Sequence, residues 1–320
     1  MGRGQEAGSP ARRFAAAEAL PKGRVLPVRS QDGTRLHAEA FGPEDGYPIV
    51  LAHGITCALR VWAYQIAELA SDYRVIAFDH RGHGRSAVPV RPGSYSLGHL
   101  ADDLDSVLEA TLAPAERAVI AGHSMGGIAI TSWADRYPER VRQRADAVAL
   151  INTTTGDLLR NVQFLPVPPP LADARVLAAG TLLKTFGAAP LLRAADRPSR
   201  RFVSTIAVGR DADPSIVDFI YELFTATPPA GRGGWTRTLV DAMGSEHIGL
   251  KNLTVPTLVI GSAKDRLLPI VSSRRIAKMA PNLAQFVELT GGHCAIVERP
   301  DEVNKQLRLL IESVSQEQTA

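Results

Sequence analysis

Two hydrophobic patterns alternate along the 320 residues of this chain. Short, almost uninterrupted apolar runs are typical of strands buried on both faces of a sheet. Longer segments with an apolar residue every three or four positions are typical of amphipathic helices, and 97–112 is the clearest example. The runs predict strands at 25–28, 36–41, 47–52, 73–78, 117–121, 145–151, 255–261 and 285–290.

Helical patterns separate most of these runs. Strands that alternate with helices favour the α/β class, with a mostly parallel, doubly wound sheet covered on both faces. The first two runs flank Asp32-Gly33, a dipeptide typical of a hairpin turn. Ligands bind beyond the carboxyl ends of the strands in such sheets. The helices of the core are predicted at 61–69, 97–112, 128–137, 270–279 and 303–313.

The alternation stops over 153–248, a stretch far longer than an ordinary strand-to-helix connection. Its own helical patterns indicate an inserted set of helices, called the cap below, and its glycine-rich segment 228–234 is interpreted as a hinge for opening of this insertion. The cap helices are predicted at 171–186, 198–208 and 215–224. The predicted organisation is a flexible N-terminal tail over 1–22, a core over 23–152 and 249–316, and a cap over 153–248.

Composition and charge argue against several classes of function. The formal net charge is only +3 and the basic residues are scattered, which argues against nucleic-acid binding. No apolar run reaches the roughly 20 residues of a membrane-spanning helix, and peripheral membrane contact through the cap is left open. The N-terminal stretch lacks the apolar core of a signal peptide, so a cytoplasmic location is predicted. Neither a metal nor a cofactor is expected.

The most informative motif is Gly122-His123-Ser124-Met125-Gly126, between a predicted strand and a predicted helix. In that context it is typical of a nucleophile elbow, a sharp turn that exposes the serine hydroxyl. Glycine stands on both sides because larger side chains would collide with the neighbouring strand and helix. The helix that follows points its positive end at the serine. Ser124 is therefore the candidate nucleophile.

A nucleophilic serine needs a base, and the base needs a group that orients it. In this topology the partners come later in the chain, in the order Ser, Asp, His. Asp265 follows the predicted strand 255–261, and His293 follows 285–290 on a loop with two glycines. These two residues are the candidate orienting acid and base. Asp157, after the strand 145–151, is the reserve candidate for the acid.

Backbone N–H groups after His53-Gly54 are expected to face the serine from the end of strand 47–52. Ile55 and Met125 are the predicted donors to an oxyanion, and Thr56 is the near alternative to Ile55. The predicted substrate-pocket residues are Thr56, Trp62, His123, Phe164 and Phe186.

The two cysteines lie near these candidate residues in the sequence. Cys57 follows the oxyanion turn, and Cys294 follows His293. Two cysteines imply no disulfide framework, and the favoured interpretation is a pair of reduced residues packed near the site. The alternative is that oxidation or a thiol reagent at this pair blocks the site.

Taken together, these motifs resemble the α/β-hydrolase family. The resemblance extends over roughly 24–312 and is specific for the fold and the Ser-Asp-His arrangement. It implies that the histidine-rich turn is structural, which leaves a metal site there as an unfavoured interpretation. Trp62 fits the first helix of the family. The matching residues are His53-Gly54, the turn Asp79-His80-Arg81-Gly82-His83-Gly84-Arg85-Ser86, the elbow at Ser124, Asp265 and His293.

The resemblance implies a serine hydrolase that cleaves an uncharged ester, thioester or lactone with an apolar moiety through an acyl-enzyme. Carbon–carbon bond hydrolases and cofactor-free perhydrolases of the same fold are alternatives. A non-catalytic receptor for a small ligand is an alternative from another class. Epoxide hydrolases and haloalkane dehalogenases carry aspartate at the elbow, so Ser124 argues against both. The substrate is expected to be a small molecule, and the oligomeric state is left open.

Overall fold

An eight-stranded sheet runs through the computed structural model, which describes residues 22–89, 91, 93–161, 171–189 and 196–315. The strands are β1 Arg24–Arg29, β2 Arg35–Phe41, β3 Pro48–Ala52, β4 Arg74–Asp79, β5 Ala118–His123, β6 Ala145–Ile151, β7 Thr257–Ser262 and β8 Leu283–Leu289. Their order across the sheet is β1-β2-β4-β3-β5-β6-β7-β8. All eight predicted strands are confirmed.

The sheet begins with antiparallel strands and continues as a parallel sheet. β2 pairs antiparallel with β1 and with β4, and every later neighbouring pair is parallel. The β1–β2 hairpin turns at Gly33, whose N–H donates to Ser30 O at 2.8 Å and whose φ is 84°. Glycine adopts this left-handed backbone without strain. The parallel strands carry their carboxyl ends to one edge, where the candidate residues lie.

Helices cover both faces of the sheet. They are the 3₁₀ helix Leu59–Trp62 and, in chain order, α1 Ala63–Leu69, α2 Leu97–Thr111, α3 Met125–Arg136, α4 Pro138–Arg144, α5 Leu158–Asn161, α6 Ala172–Phe186, α7 Asp196–Ala207, α8 Pro214–Ala226, α9 Pro229–Ala242, α10 Ile270–Met279, α11 Ala295–Glu298 and α12 Pro300–Ser315. None of these described helices is long and apolar enough to cross a bilayer.

Alternation along β3 shows how both faces are buried. Ile49 and Leu51 belong to the cluster that includes residues of α1 and α12. Val50 and Ala52 belong to the opposite cluster, with residues of α2, α3 and α10. Side chains of a strand alternate between the faces, so an uninterrupted apolar run fills two cores at once. The predicted fold class is therefore confirmed.

Helices α5 to α9, which we call the cap, lie between β6 and β7. Helices α6, α7 and α8 fall where the sequence predicts them, within two residues at each end. The expectation of a hinge at 228–234 is wrong, because most of this segment forms the first turns of α9. Pro229 suits the first turn of a helix, where a backbone N–H has no intrahelical acceptor anyway.

The glycines of α9 allow it to pack closely on the core. A Cβ atom at Gly231 would lie 2.0 Å from Gly82 O, and one at Gly234 would lie 2.5 Å from the Tyr95 ring. Beyond them, Trp235 Nε1 donates to Arg81 O at 2.9 Å. The glycine-rich segment therefore attaches the cap to the structural turn that follows β4.

Candidate active site

The elbow serine has the backbone expected for a sharp strand-to-helix turn. Ser124 has φ 53° and ψ −116°, between the last residue of β5 and the first of α3. A non-glycine residue adopts such angles only when its surroundings enforce them. A Cβ atom at Gly122 would lie 2.4 Å from the Gly126 carbonyl carbon, and one at Gly126 would lie 2.0 Å from Ala52 O. Both glycines are therefore sterically required.

Hydrogen bonds hold the strained backbone of the elbow in place. Ser124 N donates to Ile151 O at 3.0 Å. Ser124 O accepts from Thr153 Oγ1 at 2.7 Å and from the amides of Gly127 and Ile128 at 2.9 and 3.2 Å. These bonds oppose relaxation of the turn and fix the direction of the serine side chain.

The structure joins the candidate base to the candidate acid. His293 Nδ1 lies 2.8 Å from Asp265 Oδ2, and the Asp265 side chain is fully buried. Asp265 Oδ1 also accepts from the amides of Leu267 and Leu268 at 2.9 and 2.8 Å. Asn152 Nδ2 donates to Asp265 Oδ2 at 2.9 Å. Four donors therefore surround this carboxylate, and its orientation toward His293 is fixed.

The reserve acid is engaged elsewhere. Asp157 Oδ2 lies 3.1 Å from His247 Nε2, and the other ring nitrogen of His247 lies 2.8 Å from Thr155 Oγ1. This pair joins the two chain segments that lead into and out of the cap. Asp157 is therefore paired with His247 and not with His293.

His123 connects the elbow to the loop that carries His293. Its Nε2 lies 2.9 Å from His293 O, and the two rings are 4.9 Å apart between centroids. Burial, with a smaller contribution from His293, lowers the pKa of His123 to about 3, so the ring is neutral. Because a carbonyl only accepts, Nε2 carries the proton. Its Nδ1 is buried and has no hydrogen-bond partner among the described residues.

The turn after β3 bears on the choice between Ile55 and its alternative Thr56 as an oxyanion donor. Thr56 N donates to His83 Nε2 at 3.0 Å, so the Thr56 alternative is disfavoured. Ile55 N donates to no acceptor in the described part of the chain. Met125 begins α3, so its N–H has no intrahelical acceptor. A Cβ atom at Gly54 would lie 3.1 Å from Ser124 Cβ, so this turn touches the elbow.

Three buried histidines shape that turn. His83 Nδ1 lies 3.2 Å from Arg81 O, while His53 Nε2 accepts from the His80 amide at 3.0 Å. Burial lowers the pKa of His80 to about 3 and that of His83 to about 4, and it lowers the pKa of His53 well below its usual range. All three rings are therefore neutral at ordinary pH. Across the described ranges, no group of three His, Cys, Asp or Glu residues could hold a metal ion.

Apolar side chains of the cap and the core meet around these groups. Met125 packs with Trp235, Leu239 and Met243, which α9 and the segment after it supply. On the other side, Cys57, Trp62 and Cys294 share a buried cluster with cap residues. Those cap residues are Val203, Val208, Ile216, Phe219, Ile220 and Leu223.

The predicted pocket residues have different outcomes. Thr56 lies in the turn that touches the elbow, His123 is part of the elbow, and Trp62 is fully buried in the core cluster. Phe164 lies outside the described residues, and so does the side chain of Phe186, which ends α6. A role in lining a substrate pocket stays a prediction for all five.

The two cysteines are free and buried. Burial raises the pKa of Cys57 to about 12, and burial together with Cys57 raises that of Cys294 well above its usual range. The thiolate is the reactive form of cysteine, so these environments suppress reactivity. The structure therefore favours the interpretation of two packed, reduced cysteines.

Sequence reasoning missed Asn152 and Thr153, which hold Asp265 and the elbow carbonyl. A signal was available, since Asn152-Thr153-Thr154-Thr155 is a polar run directly after the buried strand β6. Polar residues at the carboxyl end of a central parallel strand are candidates for site contacts.

Comparison with known proteins identifies the family. Residues 47–300 match the family model described as the alpha/beta hydrolase fold. This match covers most of the chain, so the protein belongs to the alpha/beta hydrolase fold family.

Individual relatives agree with this assignment. Bifunctional epoxide hydrolase 2 of Sus scrofa is 27% identical over 329 residues, which cover 92% of this chain but 55% of that protein. A putative carbamate hydrolase, RutD, of Variovorax paradoxus (strain S110) is 28% identical over 88% of this chain and 97% of that protein. The crystal structure of a putative aryl esterase from Burkholderia cenocepacia superposes with a TM-score of 0.73 at 23% identity, covering 92% of this chain and 100% of that one.

The chain spans about half the length of the epoxide hydrolase relatives it matches, 55% for the Sus scrofa protein and 54% for that of Mus musculus. Both the Sus scrofa and the Variovorax paradoxus relatives are named as hydrolases.

Proposed function

We propose that this protein is a serine hydrolase that cleaves an uncharged carboxylic ester, thioester or lactone with an apolar moiety. The observation that carries the proposal is the buried hydrogen bond of 2.8 Å between His293 Nδ1 and Asp265 Oδ2, together with an elbow serine at φ 53° whose neighbour His123 contacts the His293 carbonyl at 2.9 Å. A nucleophile, a base and an orienting acid at one sheet edge are the parts required for acyl transfer.

The first half of the reaction follows from the protonation of His293. Because Asp265 accepts at Nδ1, that nitrogen carries the proton and Nε2 keeps its lone pair. Nε2 then takes the proton of Ser124 as the serine oxygen attacks the substrate carbonyl. The imidazolium that forms is stabilised by the buried Asp265 carboxylate, and it protonates the leaving alcohol or thiol.

The second half releases the acid. The acyl group is then bound to Ser124 Oγ, and His293 removes a proton from a water molecule that attacks the same carbonyl. The carbon–oxygen bond to Ser124 breaks, and the serine regains its proton from His293. The amides of Ile55 and Met125 are the proposed donors to both tetrahedral oxyanions, each worth roughly 3–4 kcal/mol in related sites.

The apolar surroundings support a neutral, apolar substrate. The proposed walls of the site are the cluster that contains Met125 and Trp235 and the cluster that contains Trp62 and Phe219. An apolar surface gains free energy by covering apolar groups and loses it by burying an unpaired charge. A charged acyl group would therefore be bound poorly between them.

The residue at the elbow supports ester-type chemistry over epoxide opening. The esterase-like structure and the carbamate hydrolase relative are named for hydrolysis at a carbonyl carbon. The epoxide hydrolase relatives match well, but Ser124 occupies the elbow where epoxide hydrolases use aspartate. We therefore propose carbonyl chemistry.

Turnover of p-nitrophenyl esters of increasing acyl length tests the proposal. Wild-type protein should hydrolyse them, while Ser124→Ala and His293→Ala should each lose at least about 10³-fold in kcat with the fold intact. Hydrolysis that survives Ser124→Ala contradicts the proposed nucleophile. Folded wild-type protein that binds esters but releases product no faster than it releases ligand contradicts the enzyme and favours the ligand-receptor alternative.

The carbon–carbon hydrolase and perhydrolase alternatives would use the same residues. They are separated by substrate: a vinylogous diketone for the first, and hydrogen peroxide with a carboxylic acid for the second. A kcat/KM for either that exceeds the best ester value would replace the ester proposal.

A further inference from the structure

Glu298, at the end of α11, joins the loop of His293 to the cap. Its Oε2 accepts from the Gly292 amide at 3.0 Å, directly before His293, and from the Gly209 amide at 2.8 Å. Gly209 follows α7, so it belongs to the cap. One carboxylate oxygen therefore holds two backbone donors that are far apart in the sequence. The Cys294 amide adds a third link, to Ala207 O at 2.9 Å.

The contact between these two segments leaves no spare room. A Cβ atom at Gly292 would lie 2.2 Å from Gly209 N and 2.9 Å from Glu298 Oε1. Position 292 must therefore be glycine for the cap segment to reach the loop. The loop before His293 consists of Gly291, which has φ 143°, and Gly292. It therefore has no side chains of its own to hold it. Its position depends on contacts that other residues provide.

Within the described residues, the carboxylate of Glu298 has no lysine or arginine partner to explain its burial. Among the described residues, no lysine or arginine forms an ion pair with it, and its Oε1 is buried without a hydrogen-bond partner. Burial raises the pKa of Glu298, while the Gly292 and Gly209 amides lower it. Burying a carboxylate without a cation costs free energy. That cost is offset by the two charge-assisted hydrogen bonds that the carboxylate accepts from backbone amides.

We propose that Glu298 is a positioning residue, which sets His293 against Ser124 by fixing the glycine loop onto the cap segment at Gly209. The proposal rests on the proposed function, because it assumes that His293 is the base. A base must lie within hydrogen-bond reach of the proton that it removes, and a displacement of about 1 Å can cost roughly 10²-fold in rate. His123 and the Cys294 amide also contact this loop, and the two amide bonds of Glu298 set its glycine segment against the cap.

The test compares three replacements of Glu298 in the full chain, with p-nitrophenyl acetate as substrate. Glu298→Ala removes the acceptor and should lower kcat about ten- to a hundredfold, with KM changed by less than about threefold. Glu298→Gln keeps a carbonyl oxygen of the same reach and should retain kcat to within about threefold. Glu298→Asp keeps the charge but shortens the side chain by one methylene, so it should lose kcat as Glu298→Ala does.

Asp211→Ala is the matched control. Asp211 also joins the cap to the core, through an ion pair of 2.8 Å with Lys264, but both side chains are exposed. An exposed ion pair contributes little to stability. This variant should keep the wild-type kcat and KM, which shows that losing a cap–core contact is not enough to slow the reaction.

The outcomes separate this inference from the proposed function. Wild-type protein that neither hydrolyses the ester nor reacts at Ser124 refutes the proposed function itself. If wild-type protein is active, a folded Glu298→Ala variant with wild-type kcat, or with an altered KM alone, overturns the role of Glu298. If Glu298→Ala does not fold, the other two variants decide. An equal kcat for Glu298→Gln and Glu298→Asp overturns the inference. A near-wild-type kcat for Glu298→Gln with a low kcat for Glu298→Asp supports it.

Discussion

At the scale of single residues, the site depends on backbone geometry that few side chains permit. Ser124 is held at a positive φ by glycines on both sides and by Thr153, which donates to its carbonyl. The glycines were predictable from the motif, because the collision that they avoid is local in the sequence. Thr153 was not identified, because its bond to Ser124 joins two strands that become neighbours only in the folded sheet.

Replacing Gly126 tests the geometry of the elbow. In Gly126→Ala the new Cβ would lie 2.0 Å from Ala52 O, so either β3 or the elbow must move. We expect a loss of roughly 2–4 kcal/mol in the free energy of unfolding, measured by urea denaturation, together with loss of ester hydrolysis. The control is Gly98→Ala in α2, where the new Cβ would lie 3.5 Å from its nearest neighbour and stability should change by less than about 1 kcal/mol. Equal stability of the two variants would contradict the steric account.

The two candidate acids can be separated by matched substitutions. Asp265→Asn keeps the size of the side chain but leaves the wrong hydrogen-bonding pattern for His293, so kcat should fall about 10⁴-fold. Asp157→Asn changes an acid beside His247 and should keep kcat to within about threefold. Both are measured with the same p-nitrophenyl ester. A larger loss from Asp157→Asn would show that the reserve acid is the functional one.

At the scale of elements, the ends of β3 and β4 form a turn held by neutral histidines. The Thr56 amide donates to His83, which leaves Ile55 as the free donor beside the elbow. The sequence predicted Ile55 as an oxyanion donor with Thr56 as the near alternative, because the evidence against Thr56 depends on a histidine 27 residues away. A hydrogen bond between residues far apart in the chain leaves no local pattern in the sequence from which it could be predicted.

Neutral burial of these histidines predicts sensitivity to acid. Burial holds the pKa of His83 at about 4, below its usual value of 6.5, so the unfolded chain binds a proton that the native protein does not. The stability from this group is complete above about pH 6.5 and is lost as the pH falls toward 4. His80, with a pKa of about 3, adds to the loss in the same direction.

Thermal or urea unfolding between pH 7 and pH 5 measures this effect. His83→Gln keeps an acceptor for the Thr56 amide but does not titrate, so the slope of unfolding free energy against pH should fall by about 1.4 kcal/mol per pH unit below pH 6. The two proteins share every other titrating group, so the difference isolates His83. Equal slopes in the two proteins would show that His83 is not buried in the neutral form.

At the scale of the whole molecule, the cap is attached to the core by specific contacts. Helix α9 packs on the turn after β4 through Gly231 and Trp235, while Glu298 holds the segment after α7 to the His293 loop. The sequence predicted a cap and most of its helices from their apolar periodicity. It did not predict the attachment, because a run of glycines is compatible with either a hinge or close packing. The helix that this segment forms and its close contacts, Gly231 with Gly82 and Gly234 with Tyr95, distinguish the two.

Fluorophosphonate labelling read by intact mass tests the central claim most directly, since the reagent reacts only with an activated nucleophile. Wild-type protein should give a single adduct, located at Ser124, while folded Ser124→Ala should give none and His293→Ala should be labelled slowly. The absence of any adduct on folded, wild-type protein, or an adduct at another residue, would contradict the account.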